Sequence, residues 1–207
     1  MLTVAIQGER GSFSDEAVHQ IWDGRAVPVP MRDFASVVEA VVQGDAVYGV
    51  LPVENTSIGP IKESREALAA AEGDLRVIGE LTIAVRHCLL ANPAVPLERL
   101  RRVFSHPAAL AQCSRFLADH PVIVPIVAYD TAGSAADVAS RGDPIEAAIA
   151  PHGAAARYGL QVVASGIQDD TANATRFVVL ASVLADEYPA AWRPTASLAG
   201  WAIIRDA

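Results

Sequence analysis

The sequence predicts an α/β fold with largely parallel sheets, and three observations predict it. Short apolar runs alternate with helical patterns along the chain. Three junctions between an apolar run and a helix are polar: Glu54-Asn55-Thr56, Ser105-His106 and Asp130-Thr131. In such folds the loops at the carboxyl ends of strands receive ligands. Hydrophobic residues make up 52% of the 207 positions. That is enough for a sizeable core, and it excludes a disordered chain.

The elements follow in order. Residues 2–6 read as a strand that ends in Gly8-Glu9-Arg10-Gly11-Ser12, a loop feeding a helix over 13–22. Residues 27–29 form a short strand. Asp33 is the expected N-cap of a helix ending near Gly44, with Phe34, Val37, Val38, Val41 and Val42 as its apolar stripe. Residues 47–53 read as a buried strand, and a helix over 62–71 stops at Gly73. The pattern then repeats. Residues 77–90 are strand-like and 103–105 form a strand. Pro107 suits the first position of a helix reaching residue 118. A strand over 122–128 leads to a helix through 132–139 that stops at Gly142. Residues 147–150 are a strand, Pro151 opens a helix that Gly159 closes, and 177–184 form the last strand. There is no internal repeat and no Ser/Gly-rich linker, so two lobes would be joined by crossing strands.

The net charge is −8, and of 16 basic residues only Lys62 is a lysine. An acidic chain is a poor general nucleic-acid binder. An anionic ligand must be held by a local cluster of donors against the overall field. No basic stretch followed by an apolar segment opens the chain, and no apolar run reaches the roughly 18–20 residues of a membrane span. Cys88 and Cys113 make neither a disulfide framework nor a metal-ligand spacing, so a reducing cytoplasm is expected. The histidines have no zinc-ligand spacing, the Walker lysine is absent, and there is no Gly-x-Ser-x-Gly elbow.

Four places carry candidate chemistry. Asn55 and Thr56 follow a buried strand and precede Gly59-Pro60; they suit a polar rim on a ligand site, or simple capping. Glu54 reads as an acid catalyst or an ion-pair partner. Ser105-His106-Pro107 opens a helix whose N–H groups suit a carboxylate, or else Ser105 or His106 merely caps it. Gln112 lies within that helix. Asp130-Thr131-Ala132-Gly133-Ser134 is a second start of the same kind. In Asn173-Ala174-Thr175-Arg176-Phe177, Arg176 can bind a carboxylate bidentately and Thr175 can donate or accept a hydrogen bond; the alternative is a strand entry with an exposed arginine.

Together these stretches resemble the prephenate dehydratase family. The resemblance runs through Gly8-Glu9-Arg10-Gly11-Ser12-Phe13-Ser14, through Pro52-Val53-Glu54-Asn55, and through Ser105-His106-Pro107. It continues in Asp130-Thr131-Ala132 and Ala147-Ala148-Ile149-Ala150, and is strongest from Tyr158-Gly159-Leu160 through Ile167-Gln168-Asp169 to Thr175-Arg176-Phe177. It covers nearly the whole chain in the family's order. Thr56 stands where the family often has serine, and Ser64 and Glu66 stand where threonine and aspartate are common.

The resemblance implies a two-lobed fold like the type II periplasmic binding proteins. The ligand cleft would lie between lobe one, about 1–79 and 172–207, and lobe two, about 80–171. It implies conversion of prephenate to phenylpyruvate in phenylalanine biosynthesis, with neither metal nor cofactor, by a cytoplasmic homodimer. Thr175 would be the catalytic donor to the leaving hydroxyl. Asn55, Thr56, Gln112, Thr131 and Arg176 would bind substrate, with Arg176 as a carboxylate clamp; Glu54, Ser105, His106 and Phe177 are further candidates. Family members commonly carry a C-terminal ACT-type domain that senses phenylalanine. Here 27 residues follow Leu180, in which Thr195-Ala196-Ser197-Leu198 faintly resembles that domain's start, so a stand-alone catalytic domain is expected. Arogenate dehydratase, a non-aromatising prephenate decarboxylase and a catalytically silent binding module are the alternatives.

Overall fold

The computed structural model describes residues 1–183. In chain order the elements are β1 (Thr3–Gln7), α1 (Phe13–Trp22), β2 (Val27–Met31), α2 (Phe34–Val42), β3 (Tyr48–Asn55), β4 (Gly59–Pro60), α3 (Lys62–Ala70), β5 (Leu75–Ala84) and β6 (His87–Ala91). A 3-10 turn (Leu97–Arg99) follows. Then come β7 (Arg102–Ser105), α4 (Pro107–Gln112), α5 (Ser114–Asp119), β8 (Val124–Val127), α6 (Thr131–Arg141), β9 (Glu146–Pro151), α7 (His152–Tyr158), β10 (Gln161–Ser165) and β11 (Ala174–Ser182). The expected resemblance at Thr195-Ala196-Ser197-Leu198, the end of the last strand at Leu184 and the close of lobe one lie outside the described residues. No helix among the described residues is long and apolar enough to cross a membrane.

The chain divides into two compact units, and the first holds residues 1–8, 13–84 and those from Ala174 onward. Its sheet has the order β2-β1-β3-β11-β5, with β4 added on β3. β1 is parallel to β2 and β3, whereas β11 is antiparallel to both β3 and β5. The sheet is therefore mixed, not largely parallel. β11 arrives from a distant part of the chain instead of through a helical crossover, and only such crossovers impose parallel order. Strand alternation feeds two cores. Val4, Ile6, Val50, Leu81, Phe177 and Val179 pack with Val18, Ile21 and Trp22 of α1 on one face. Leu51, Val178 and Leu180 pack with Val37 and Val38 of α2 on the other. α2 is capped as its sequence predicts: Asp33 accepts from the Ser36 N–H at 2.8 Å and from its hydroxyl at 2.7 Å. Gly49 lets α2 sit close, since a Cβ there would lie 3.0 Å from Val41 and 3.2 Å from Val37.

The second unit holds residues 9–12 and 85–173. Its sheet has the order β10-β6-β9-β7-β8. β6 is antiparallel to β10 and β9, while β7 is parallel to β8 and β9. Leu89, Leu100, Val103 and Ile149 build one core and Leu90, Val138, Ala148 and Ala154 the other.

Two continuous expectations are broken. Residues 77–90 form two strands, β5 in the first unit and β6 in the second, because an unbroken apolar pattern carries no record of which sheet receives it. The helix expected over 107–118 is two short helices meeting at Cys113 (φ −115°, ψ 26°). The cause is a remote cap. The Asp169 carboxylate accepts from the Ser114 N–H at 3.1 Å, the Ser114 hydroxyl at 2.6 Å and the Arg115 N–H at 3.0 Å, so a fresh N-terminus opens there.

Candidate active site

In the first unit the end of β3 meets the start of β11, with Asn55 directly opposite Thr175 and Glu54 opposite Arg176. Asn55 Nδ2 donates to Thr175 Oγ1 at 2.9 Å and to the Ala174 carbonyl at 3.1 Å. Its Oδ1 accepts from the N–H groups of Ser57 and Ile58 at 2.9 and 3.2 Å. Thr56 Oγ1 accepts from the Ala174 N–H at 2.9 Å, and the Thr56 N–H donates to the Ala174 carbonyl at 2.9 Å. The amide of Asn55 is thus committed to the protein. Expected as a substrate contact, it instead holds the Thr175 oxygen as an acceptor and leaves the hydroxyl proton to be donated outward. Thr175 is 8% exposed, so its hydroxyl works in a partly desolvated place.

Arg176 and Phe177 depart from expectation. Successive residues of a strand face opposite sides. Phe177, 1% exposed, is core on the α1 face and is no ligand contact. Arg176 faces the other side with Val178 and Leu180. Its guanidinium donates to Glu54 Oε2 at 2.9 Å and to Glu80 Oε2 at 3.0 Å. The bond to Glu54, then that to Glu80, holds the arginine above its ordinary pKa. Glu54 is an ion-pair partner, the plainer of its two readings.

In the second unit Ser105 is fully buried and donates to the Ile149 carbonyl at 2.6 Å; it ties β7 to β9 and neither caps nor meets a ligand. His106 is the N-cap of α4, its Nδ1 accepting from the Ala108 N–H at 3.2 Å. Gln112 Oε1 accepts from His87 Nε2 at 2.9 Å, and its carbonyl accepts from the Asp169 N–H at 2.6 Å. An amide oxygen only accepts, so His87 carries its proton on Nε2 and the Gln112 NH₂ keeps donors that suit a carboxylate. Thr131 is the first residue of α6, after Asp130, whose Oδ1 accepts from the Gly133 N–H at 2.6 Å. Burial raises the Asp130 pKa, opposed by bonds from Gly133 and Ala132 and by the charge of His106. A Cβ at position 133 would lie 2.1 Å from the Tyr129 hydroxyl laid over it, so a larger residue there would push that exposed ring aside.

Sequence reasoning missed Glu80, His87, Gln168 and Asp169. His87 is 2% exposed, and its N–H donates to Gln168 Oε1 at 3.0 Å. Burial pulls its pKa down, opposed by the bond to Gln112. A histidine opening the apolar run Cys88-Leu89-Leu90 was the available signal. Both thiols are free and buried, and burial, then the charges of Asp169 and Cys88, pushes Cys113 up to about 12, so it is no nucleophile.

The prephenate dehydratase family profile matches residues 4–183. "Arogenate dehydratase/prephenate dehydratase 2, chloroplastic" of Arabidopsis thaliana is 43% identical over 178 residues, 86% of this chain and 46% of its own length. The chain spans about half the length of the curated relatives it matches. The Arthrobacter aurescens prephenate dehydratase, solved in complex with L-Phe, is 30% identical with a TM-score of 0.79, covering 87% of this chain and 60% of that one. A solved structure described as a novel type of quorum quenching acylase, GqqA, is 33% identical with a TM-score of 0.78, covering 86% and 63%. The matched span runs from β1 to the end of β11 and holds every residue from Glu54 to Phe177 discussed above, and with it the chain belongs to the prephenate dehydratase family.

Proposed function

We propose that the chain converts prephenate to phenylpyruvate, carbon dioxide and water, as in phenylalanine biosynthesis. The observation that carries this reading is the Asn55–Thr175 bond at 2.9 Å, which aims a hydroxyl donor. In prephenate, loss of the ring carboxylate sends an electron pair through the ring and expels the hydroxyl across it; aromatisation drives both. The protein must orient a dianion and supply a donor where negative charge grows on the leaving oxygen. Thr175 fits that post, and one such donor is worth about 2.7–4 kcal/mol by analogy with an oxyanion hole. Thr56, Gln112, Thr131 and His106 are the proposed ligand contacts.

Arogenate, which carries an amino group in place of the keto group, is the second reading. It is supported by the 43% identity to the Arabidopsis enzyme whose name gives both activities. Incubation of purified protein with each substrate, following phenylpyruvate absorbance and phenylalanine release, tests both; no turnover of either overturns the proposal. A cytoplasmic setting is part of the reading, supported by two buried free thiols. So is a homodimer, supported by the family resemblance and checked by light scattering.

A further inference from the structure

We propose that Arg176 is a positioning residue: by bridging Glu54 and Glu80 it locks the register of β3, β11 and β5 and so keeps Thr175 on its face. The proposal rests on the dehydratase reading of Thr175. Three observations carry it. The guanidinium reaches carboxylates on both neighbouring strands, Glu54 of β3 at 2.9 Å and Glu80 of β5 at 3.0 Å. The bridge sits beside an irregularity in the ladder. On the β3 side Arg176 pairs with Glu54 but Phe177 pairs with Pro52, so Val53 is an extra residue in a bulge. Finally, Thr175 and Arg176 are adjacent in one strand, and a one-residue slip would exchange them. Such a slip would remove the hydroxyl from Asn55 and put a guanidinium in its place. An arginine held from both sides opposes that slip, because the slipped register would carry Arg176 away from both carboxylates.

The same geometry argues against a substrate clamp. Two carboxylates around one guanidinium leave this cluster with a net negative charge, which repels a dianion. Its face is also the one opposite Thr175.

The two roles predict opposite signs for the acidic partners. If Arg176 clamps substrate, Glu80→Gln and Glu54→Gln release it and lower KM. If it positions β11, they lower kcat and leave KM within about threefold. Arg176→Met lowers kcat by about a hundredfold or more, since a misplacement of about 1 Å at the reacting group already costs that much. The Glu54→Gln/Glu80→Gln double variant, in which Arg176 is kept, approaches the same loss, and adding Arg176→Met to it costs little more. A lowered KM in the glutamine variants, or unchanged kcat in Arg176→Met, overturns the proposal. If the wild type turns over neither prephenate nor arogenate, the dehydratase reading fails by itself. Amide hydrogen exchange then still decides the strand lock: faster exchange across 174–178 in Arg176→Met supports it, and wild-type protection overturns it.

Discussion

Replacing Thr175 with alanine removes the hydroxyl that Asn55 holds at 2.9 Å, while the core around Phe177 is left alone. Turnover is expected to fall by about two orders of magnitude or more with KM within several-fold, because the lost interaction belongs to the transition state. Thr175→Ser keeps the oxygen and should retain most activity; steady-state kinetics on prephenate check both. Asn55→Ala leaves the hydroxyl present but unaimed, so kcat should fall by up to about a hundredfold with KM little changed. At this scale the sequence showed which chemistry was present. The Thr-Arg-Phe run named a donor and a cation, but a strand puts neighbours on opposite faces. The bonds of Arg176 are instead made to Glu54 and Glu80, which lie 122 and 96 positions away.

At the scale of elements, the Asp169 cap makes a prediction about α5. Its carboxylate accepts three bonds from Ser114 and Arg115. Asp169→Ala should destabilise the protein by about 1–2 kcal/mol, measured by urea denaturation. Desolvation pushes the Asp169 pKa up, but the bonds from Ser114 and Arg115 and the charge of Arg115 outweigh it, so the net shift is downward. A carboxylate held below its unfolded value of about 3.9 stabilises above that pH and loses the contribution as pH falls through its folded pKa. The gap between wild type and Asp169→Ala should thus be full at pH 6 and close progressively below pH 4. Caps written beside their helix, such as Asp33, were legible; this one was not, because its residue is supplied from a distant loop. Nor was the break between β5 and β6, since the apolar pattern runs through it.

For the whole molecule, stability should respond to His87. Burial holds its imidazole below the ordinary value of 6.5, so the folded state binds fewer protons than the unfolded one. The contribution is complete above pH 6.5 and is lost as pH falls through the folded pKa. His87→Asn should therefore show a shallower loss of urea midpoint than wild type as pH falls below about 6.5. Equal slopes would place the uptake elsewhere. The core is less subtle: Leu51, fully buried between β3 and α2, should cost about 2–5 kcal/mol as alanine, read from thermal or urea unfolding.

By itself the sequence determined the α/β class, most helix starts and stops, both apolar faces of α2 and β3, and a set of candidate residues with the right chemistry. These are local properties, written in periodicities of two and 3.6 and in caps next to their helices. Tertiary structure alone decided strand direction, the partition of residues 77–90 between two sheets, and which distant groups each candidate meets. Ser105 and Phe177 were drawn into the cores, Asn55 was turned onto Thr175, and His87 was set against Gln112. The physical reason is common to all four. A side chain's role depends on which distant groups satisfy its hydrogen bonds and share its face of the sheet, and only the folded chain brings those groups within reach.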